Sequence, residues 1–235
     1  LLPQTLLAHS GISIAGEYHY QRIVRIAVHP ALQSRGIGQY LVNALVTHLP
    51  ENTDILGCSF AASEALVRFW QNSDYRLMRV GAHSDHISGR HAVILAKPIS
   101  SAGQQVIEQT QQRLIQQWPD LLNSQLSHLE TGLIPLLTQL LPEAELPITA
   151  ADEEEITAFA FQKRHYDACQ IAIRKFVLNC VAQQRFLSLP SLLQSICLIF
   201  VLQRQPIATV CRQLNLKGKQ DLLGQLREAI RILLL

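Results

Sequence analysis

Residues 25–39, RIAVHPALQSRGIGQ, constrain the fold more than any other stretch of the sequence. Residues 25–28 are typical of a short buried strand, and a His-Pro turn follows them. The pattern Q-x-x-G-x-G at Gln33, Gly36 and Gly38 then leads into an apolar periodicity typical of a helix. Because glycine lacks a Cβ atom, such a loop lets several backbone N–H groups point at one anion at the positive end of the helix dipole.

Two common phosphate-binding loops are excluded by the residues around these glycines. The G-x-G-x-x-G pattern of dinucleotide-binding folds needs a third glycine at position 41, which is Leu41. The Lys-Ser/Thr pair of a Walker motif is also absent, since Gln39 and Tyr40 follow the second glycine. The predicted loop therefore belongs to another class of anion site.

The Q-x-x-G-x-G loop resembles motif A of the GNAT acetyltransferases, Q/R-x-x-G-x-G/A, which holds the pyrophosphate of acetyl-CoA. Downstream, the stretches EALVRFWQNSDYRL and SGRHAVILAKPIS extend the resemblance. Together these segments are similar to the C-terminal part of the bacterial tRNA(Met) cytidine acetyltransferases, which form N4-acetylcytidine. The resemblance covers residues 22–100 well and the remainder of the chain loosely.

Apolar periodicity in the first hundred residues predicts the element order β-α-β-α-β-β. The predicted segments are residues 20–28, 38–49, 55–60, 63–72, 75–80 and 91–97, the last two antiparallel. By resemblance this is the second half of an α/β GNAT domain. Residues 1–20 show little regular pattern, and about three strands and two helices normally precede motif A in that family. We therefore expect those elements to lie upstream of Leu1.

A change of composition over residues 98–103 predicts a domain boundary. Residues 1–100 are predicted to be the C-terminal portion of the GNAT domain. Residues 101–235 are predicted to be an all-α helical tail of about six helices, the first ending at Pro119, and the resemblance gives this tail a possible role in tRNA binding.

Composition alone does not predict binding to nucleic acid, which usually shows as a strong basic excess, because the formal net charge is only +2. Any RNA contact must come from local basic clusters, although each of these residues singly is more typical of an ordinary solvated surface. The candidate residues are Arg68, Arg76, Arg79, Arg90, Lys163, Arg164, His165, Arg174 and Lys175.

The five cysteines, an odd number without a C-x-x-C pair, indicate free thiols in a reducing cytoplasm and neither disulfides nor a metal site. The start of the chain lacks the basic and apolar regions of a signal peptide. The longest apolar-rich run, residues 192–202, is too short to cross a bilayer. We therefore predict a cytoplasmic chain with neither a membrane nor a metal as partner.

The resemblance implies which residues bind acetyl-CoA. The backbone of Ile26, Ala27 and Val28 is expected to contact the pantetheine arm. Glu64 and Asn72 match positions close to the same ligand, although Glu64 is also explained as a first-turn acid that complements a helix dipole. The pyrophosphate is expected to be wrapped by Gln33, Ser34, Arg35, Gly36, Ile37, Gly38 and Gln39.

The sequence identifies no catalytic acid or base. Many GNAT enzymes have a tyrosine at the position of Trp70 that protonates the leaving thiolate, and an indole N–H cannot do so. His83 and His86 lie in a connection between strands, and their spacing alone does not make a general base. An unpaired N–H near Ala27 or Val28 is expected to polarise the thioester carbonyl.

The preferred hypothesis is an acetyltransferase that moves the acetyl group of acetyl-CoA to N4 of the wobble cytidine of elongator tRNA(Met). In that family ATP is used by a helicase-like module, and no Walker motif occurs here, so ATP binding is expected only in the missing upstream module. The alternatives are a GNAT enzyme acting on a protein or small-molecule amine, and a noncatalytic RNA-docking module.

Overall fold

The computed structural model describes residues 2–86, 88–141 and 146–235. The chain divides into two compact units. The first comprises Leu1–Gln116 with Leu140–Pro142, and the second comprises Gln117–Gln139 with Glu143–Leu235. The division falls inside a long helix, α4, which spans Ser101–Asn123.

The first unit is built on a mixed sheet with the strand order β1-β2-β4-β3. Strands β1 and β2 are parallel, whereas β4 is antiparallel to both of its neighbours. From β1 to β4 the elements follow the predicted order β-α-β-α-β-β. Their bounds are α1 Leu2–Ser10, β1 Tyr20–Ile23, α2 Ile37–Val46, β2 Ile55–Ala61, α3 Glu64–Gln71, β3 Arg76–Ser84, β4 His91–Pro98 and α4 Ser101–Asn123.

The predicted strand over residues 25–28 is wrong, because β1 ends at Ile23. The last residue pair between the two parallel strands is Ile23 with Cys58, and the chain then leaves the sheet. Val24, which the alternation had assigned to the strand, is 81% exposed. The apolar residues that follow it therefore serve another purpose than sheet packing.

Helix α1 lies in the segment where the sequence showed little pattern. Its buried residues, Leu2 and Leu6, stand one helical turn apart. Leu2 packs so closely on β2 that a Cβ atom added to Gly57 would overlap one of its methyl groups. Two buried leucines are too weak a sequence signal to predict this helix, and its contact with the sheet stabilises it.

The start of α4 is fixed to the sheet by Asp54, which directly precedes β2. The carboxylate of Asp54 accepts a hydrogen bond from the His19 backbone N–H at 2.9 Å and one from the Ser100 hydroxyl at 2.5 Å. These hydrogen bonds hold the pKa of Asp54 below its usual range, and the bond from the His19 backbone contributes most. Ser100 Oγ in turn accepts from the Gly103 N–H at 3.0 Å, which caps the helix.

The first half of α4 belongs to the core of the first unit. Val106 and Ile107 are fully buried in one cluster with Met78 and Ile94. The first unit therefore continues beyond residue 100, where the sequence predicts the domain boundary. The helix begins where the composition changes, but its apolar face still covers the sheet.

In its described residues, the second unit is helical, as predicted for the tail. The end of α4 is followed by α5 Leu133–Gln139, α6 Ala150–Phe161, α7 Gln170–Ala182, α8 Ser191–Ile196 with a π-helical continuation Cys197–Leu202, α9 Ile207–Gln213 and α10 Lys219–Leu234.

The predicted helix end at Pro119 is wrong, because α4 continues through this residue to Asn123. A proline inside a helix costs about 3 kcal/mol, since it removes one N–H donor and crowds the preceding turn. Its neighbours Trp118 and Leu122 are almost completely buried, and the Trp118 indole donates to Thr138 Oγ1 at 2.9 Å. Burial of two large apolar side chains offsets a penalty of that size.

Helices α6 and α10 are joined through backbone carbonyls at the end of α6. Arg227 donates to the carbonyls of Phe159 and of Arg164, the latter at 2.9 Å, and Arg231 Nε donates to Ala160 at 2.8 Å. Cations at a helix C-terminus also complement the dipole. At the other end, Asp152 completes a capping box whose hydrogen bonds lower its pKa to about 2.

All five cysteines are free thiols, and four of them are buried. Burial raises the pKa of Cys58 to about 12, so this thiol stays protonated at neutral pH. Within residues 2–86, 88–141 and 146–235, no group of three potential ligands is placed to hold a metal ion. In the same ranges no helix is long and apolar enough to cross a membrane.

The contact between α4 and β2 can be tested with Gly103→Ala. An added Cβ atom would overlap the backbone carbonyl of Asp54, which cannot rotate away. We expect the free energy of unfolding in urea to fall by about 3 kcal/mol. Gly224→Ala in α10 is the matched control, because a Cβ atom there meets nothing within 4 Å and the helix propensity improves by about 1 kcal/mol. Equal effects of both substitutions would contradict this packing.

Candidate functional site

The first unit contains a cavity of about 510 Å³ at the point where the chain leaves β1 and enters α2. One wall is the segment between these elements, and the opposite wall is one face of α3. The lining residues are Ile26, Val28, Leu32, Gln33, Ser34, Gly36, Ile37, Gly38, Gln39, Ala65, Leu66, Phe69 and Trp70.

The segment between β1 and α2 supplies backbone that no strand uses. Beyond Ile23, the sheet gives this segment no further pairing. Among the described residues, the N–H groups of Ala27 and Val28 have no backbone acceptor. The Val28 carbonyl is occupied, because Gln33 Nε2 donates to it at 3.1 Å and so closes the loop. The unpaired N–H groups expected near Ala27 and Val28 are therefore present. The strand itself ends at Ile23, earlier than the predicted end at Val28.

The start of α2 provides a second set of unused donors. Its first helical hydrogen bond runs from the Tyr40 N–H to the Gly36 carbonyl at 2.9 Å. The N–H groups of Ile37, Gly38 and Gln39 come before this bond and so have no helical acceptor. The N-cap residue is Gly36, and in the described part of the chain no N-cap side chain accepts a hydrogen bond from them. Gly36 has φ +78°, a left-handed conformation that glycine adopts without strain. This helix N-terminus can therefore bind an anion.

Gly38, the second glycine of the loop, is needed for a different reason from Gly36. A Cβ atom added to Gly38 would stand 3.0 Å from Cε2 of Phe69 and 3.8 Å from Cγ2 of Val28. The absence of a side chain thus lets the start of α2 lie directly against the aromatic ring on α3. Gly36 serves backbone conformation, whereas Gly38 serves a close approach between two helices.

The α3 wall is stiffened by a group of aromatic rings. Trp70, which is 4% exposed, makes edge contacts with Phe69 and Tyr75 at centroid distances of 5.1 and 4.7 Å. It also stacks on Phe60 of β2 at 6.2 Å. The Tyr75 hydroxyl is buried without a hydrogen-bond partner among the described residues. Burial, reinforced by the nearby Cys58, raises the pKa of Tyr75, so the phenol keeps its proton.

Of the residues predicted to bind acetyl-CoA, most are brought together around this cavity. Ala27 and Arg35 belong to the same segment but are not part of the lining. Glu64 and Asn72 stand at opposite ends of α3, also outside the lining. The predicted residues that do line the cavity are Ile26, Val28, Gln33, Ser34, Gly36, Ile37, Gly38 and Gln39.

Glu64 has a structural explanation of its own. It is the first residue of α3, 48% exposed, and its carboxylate lies 3.8 Å from the Arg68 guanidinium one turn later. An acid at this position stabilises the helix dipole and the pair adds a few tenths of a kcal/mol. Its contact with a cofactor stays a prediction, as does that of Asn72.

Five lining residues were not predicted as binding residues: Leu32, Ala65, Leu66, Phe69 and Trp70. The signal for four of them was available, because Ala65, Leu66, Phe69 and Trp70 follow one another at helical spacing. Leu66 is among the exposed large apolar residues and borders the cavity. A stripe of this kind packs against a core or against a ligand, and spacing alone does not separate the two.

The basic residues proposed for RNA contact differ in how they are engaged. Four of them form ion pairs: Arg68 with Glu64, Arg164 with Glu155, Arg174 with Asp120 and Lys175 with Asp152. In the described ranges Arg76, Arg79 and Arg90 have no acidic partner, and all three lie in the first unit on or just before strands β3 and β4. Burial lowers the pKa of Arg79.

Residues 40–100 match the family model described as GNAT acetyltransferase 2. The chain carries a GNAT acetyltransferase domain. This match and the mixed sheet confirm the predicted fold class, a partial α/β GNAT domain followed by helices. The matched range begins at Tyr40, so the glycine loop of this GNAT domain lies just before it.

The chain is also similar over its whole length to proteins named tRNA(Met) cytidine acetyltransferase TmcA. It is 34% identical over 238 residues to the TmcA of Nitrosococcus halophilus, covering 100% of this chain and 32% of that protein. It is 30% identical over 239 residues to the TmcA of Vibrio cholerae, with coverage of 100% and 31%. For the TmcA of Haemophilus influenzae the identity is 37% over 110 residues, with coverage of 46% and 16%. The chain thus spans about a third of the length of the first two of these relatives.

The contact between Gly38 and Phe69 in this GNAT domain can be tested by a pair of substitutions. Gly38→Ala should lower the free energy of unfolding by about 1 to 2 kcal/mol, because the new methyl group crowds the ring. In a Phe69→Ala background the same change should cost almost nothing, since the ring is absent. Equal costs in both backgrounds, measured by urea denaturation, would show that the ring does not explain the glycine.

Proposed function

We propose that the cavity binds acetyl-CoA and that the chain is the acetyl-transferring part of a tRNA cytidine acetyltransferase. The observation that carries the proposal is the pairing of two features: unused N–H groups at the start of α2, and a largely apolar cavity beside backbone that has left the sheet. The first suits a diphosphate and the second suits an extended arm with amide groups.

Each predicted binding group has a distinct task in this proposal. The N–H groups of Ile37, Gly38 and Gln39 bind phosphate oxygens at the positive end of the helix dipole. The backbone at Ala27 and Val28 accepts the arm in the manner of an added strand, while Ile26, Leu32 and Leu66 cover its apolar portions. Ser34 and Arg35 extend the donor set of the loop.

The chemistry requires little from side chains. The acceptor nitrogen attacks the thioester carbonyl, the carbon–sulfur bond breaks, and the nitrogen loses its proton as the intermediate collapses. An N–H group of Ala27 or Val28 stabilises the developing oxyanion. A cytosine N4 amine is uncharged before attack, so the enzyme need not deprotonate it first.

The proposed acceptor is the wobble cytidine of elongator tRNA(Met). Support comes from the names of the relatives, which are similar to this chain over its full length. Because the chain spans only about a third of those relatives, ATP use is proposed for a part of the protein outside this sequence. Arg76, Arg79 and Arg90 are the cations proposed to contact phosphates, since each lacks an acidic partner among the described residues.

A second candidate is acetylation of a protein or small-molecule amine. It is favoured by the low net charge of +2 and by the ion pairs that engage several of the basic residues. The third possibility, a noncatalytic module that docks RNA, shares the fold but would not need the open cavity.

Cofactor binding can be tested by Ser34→Asp. Ser34 lines the cavity with φ +60°, a conformation that aspartate tolerates, and an acid near a helix N-terminus does not harm the fold. The added negative charge should nevertheless weaken the affinity for acetyl-CoA about tenfold by repelling the diphosphate. Isothermal titration calorimetry measures the affinity, and Ser34→Asn is the neutral control. Equal affinities of both variants would place the diphosphate elsewhere.

The acceptor can be tested by measuring transfer of radiolabelled acetyl groups from acetyl-CoA, using the full-length protein that the gene encodes. We expect label in elongator tRNA(Met) and none in the same tRNA with uridine at the wobble position. Transfer to peptides or polyamines at a greater rate than to tRNA would favour the second candidate. Absence of acetyl-CoA binding in calorimetry would favour the noncatalytic module.

A further inference from the structure

We infer that Gln39 is a positioning residue that fixes the aromatic wall of the cavity against the start of α2. This inference rests on the proposed function, since the wall matters only if the cavity holds acetyl-CoA. The motif resemblance expects Gln39 to wrap the diphosphate. The structure instead directs its side chain to α3 and leaves its backbone N–H at the helix start.

The side-chain amide of Gln39 makes its contacts at the C-terminal end of α3. Its Nε2 atom donates to the Phe69 carbonyl at 3.4 Å and to the hydroxyl oxygen of Ser73. Ser73 Oγ donates to the same Phe69 carbonyl at 3.4 Å. Groups from α2, from α3 and from the turn after α3 thus meet at one point.

The Phe69 carbonyl needs these partners. It lies in the last turn of α3, where carbonyl oxygens lose their helical donors. The Ser73 N–H, which would bond it in a continued helix, instead donates to Trp70 at 3.0 Å. Among the described residues no backbone N–H takes its place. The side chains of Gln39 and Ser73 therefore satisfy an otherwise unpaired acceptor.

The same residue of α3 that accepts this bond also forms the cavity wall. The Phe69 ring faces Gly38 and the cavity, and it supports Trp70 through an edge contact at 5.1 Å. Gly38 permits the close approach of the two helices and Gln39 holds it. The distance between the anion-binding N–H groups and the apolar wall is thereby set by two adjacent residues.

Ser73 makes the inference testable without touching the ligand. It is 1% exposed and does not line the cavity. Its backbone carbonyl accepts from Lys97 Nζ at 3.1 Å, which fixes this turn to β4 independently of α2. A loss of affinity on substitution of Ser73 must therefore act through the position of α3.

The experiment is a double-substitution cycle read by the affinity for acetyl-CoA. Gln39→Met keeps the length of the side chain and removes its donors, and Ser73→Ala removes the hydroxyl. We expect each change to weaken binding about fivefold, and the double variant to lose little more than either single one. Gln104→Met is the matched control, because Gln104 is partly exposed on α4, far in sequence from the cavity lining, and its amide donates to Glu108. The control should bind as the unchanged protein does.

Two outcomes would overturn the inference. A loss with Gln39→Met but none with Ser73→Ala would mean that Gln39 contacts the cofactor directly. Losses that multiply in the double variant would mean that the two side chains act separately. Urea denaturation of each variant establishes that the proteins compared are folded.

A measurement without ligand separates failure of this inference from failure of the proposed function. In a Trp118→Phe background, Trp70 is the remaining tryptophan. Gln39→Met and Ser73→Ala should both increase its quenching by acrylamide, because the wall loosens. Unchanged quenching would overturn the positioning role. Increased quenching in a protein that does not bind acetyl-CoA would leave the wall correct and the proposed cofactor wrong.

Discussion

The early end of the β1–β2 pairing is the constraint from which the cavity follows. Parallel strands satisfy each other's backbone groups only while they run side by side, and here this ends at Ile23 and Cys58. In the described part of the chain the N–H groups of Ala27 and Val28 then have no backbone acceptor, and Ile26 and Val28 line the cavity together with α3. Unpaired backbone beside apolar side chains is costly in a closed core. It is tolerated at a surface cavity that a ligand or water can fill.

The second constraint is the contact between α2 and α3, in which backbone and side chains have separate tasks. At the start of α2 the N–H groups of Ile37, Gly38 and Gln39 precede the first helical hydrogen bond, whereas the Gln39 side chain turns to Phe69 and Ser73. In the preceding loop, Gln33 likewise bonds the Val28 carbonyl. Gln33 of the motif and Gln39 directly after it thus shape the site, and the donors left for the proposed diphosphate belong mainly to the backbone. This explains why the loop depends on glycine more than on charge.

Local signals predicted the parts of the fold that depend on local physics. The glycine loop, the helix start, the order of elements and the antiparallel last strands all follow from periodicity and turn residues. The end of β1 did not, because it is decided by how far β2 accompanies it. Helix α1 depends on the fit of Leu2 over Gly57, and passage through Pro119 depends on the burial of Trp118 and Leu122. Likewise, the sequence identified Glu64 but could not show its ion pair with Arg68.

The composition of the cavity bears on how the proposed reaction ends. None of the described residues that line it carries a titratable side chain, and the buried Tyr75 phenol lies behind Trp70. An alkyl thiol has a pKa of about 8.5, so releasing it as a thiolate at pH 7 costs only about 2 kcal/mol. In the proposed complex, the amide N–H groups of Ala27 and Val28 would face the reacting carbonyl and offset a cost of that size. In the proposed reaction the acceptor amine is uncharged from the outset, so the residues of this cavity need to supply only positioning and backbone dipoles.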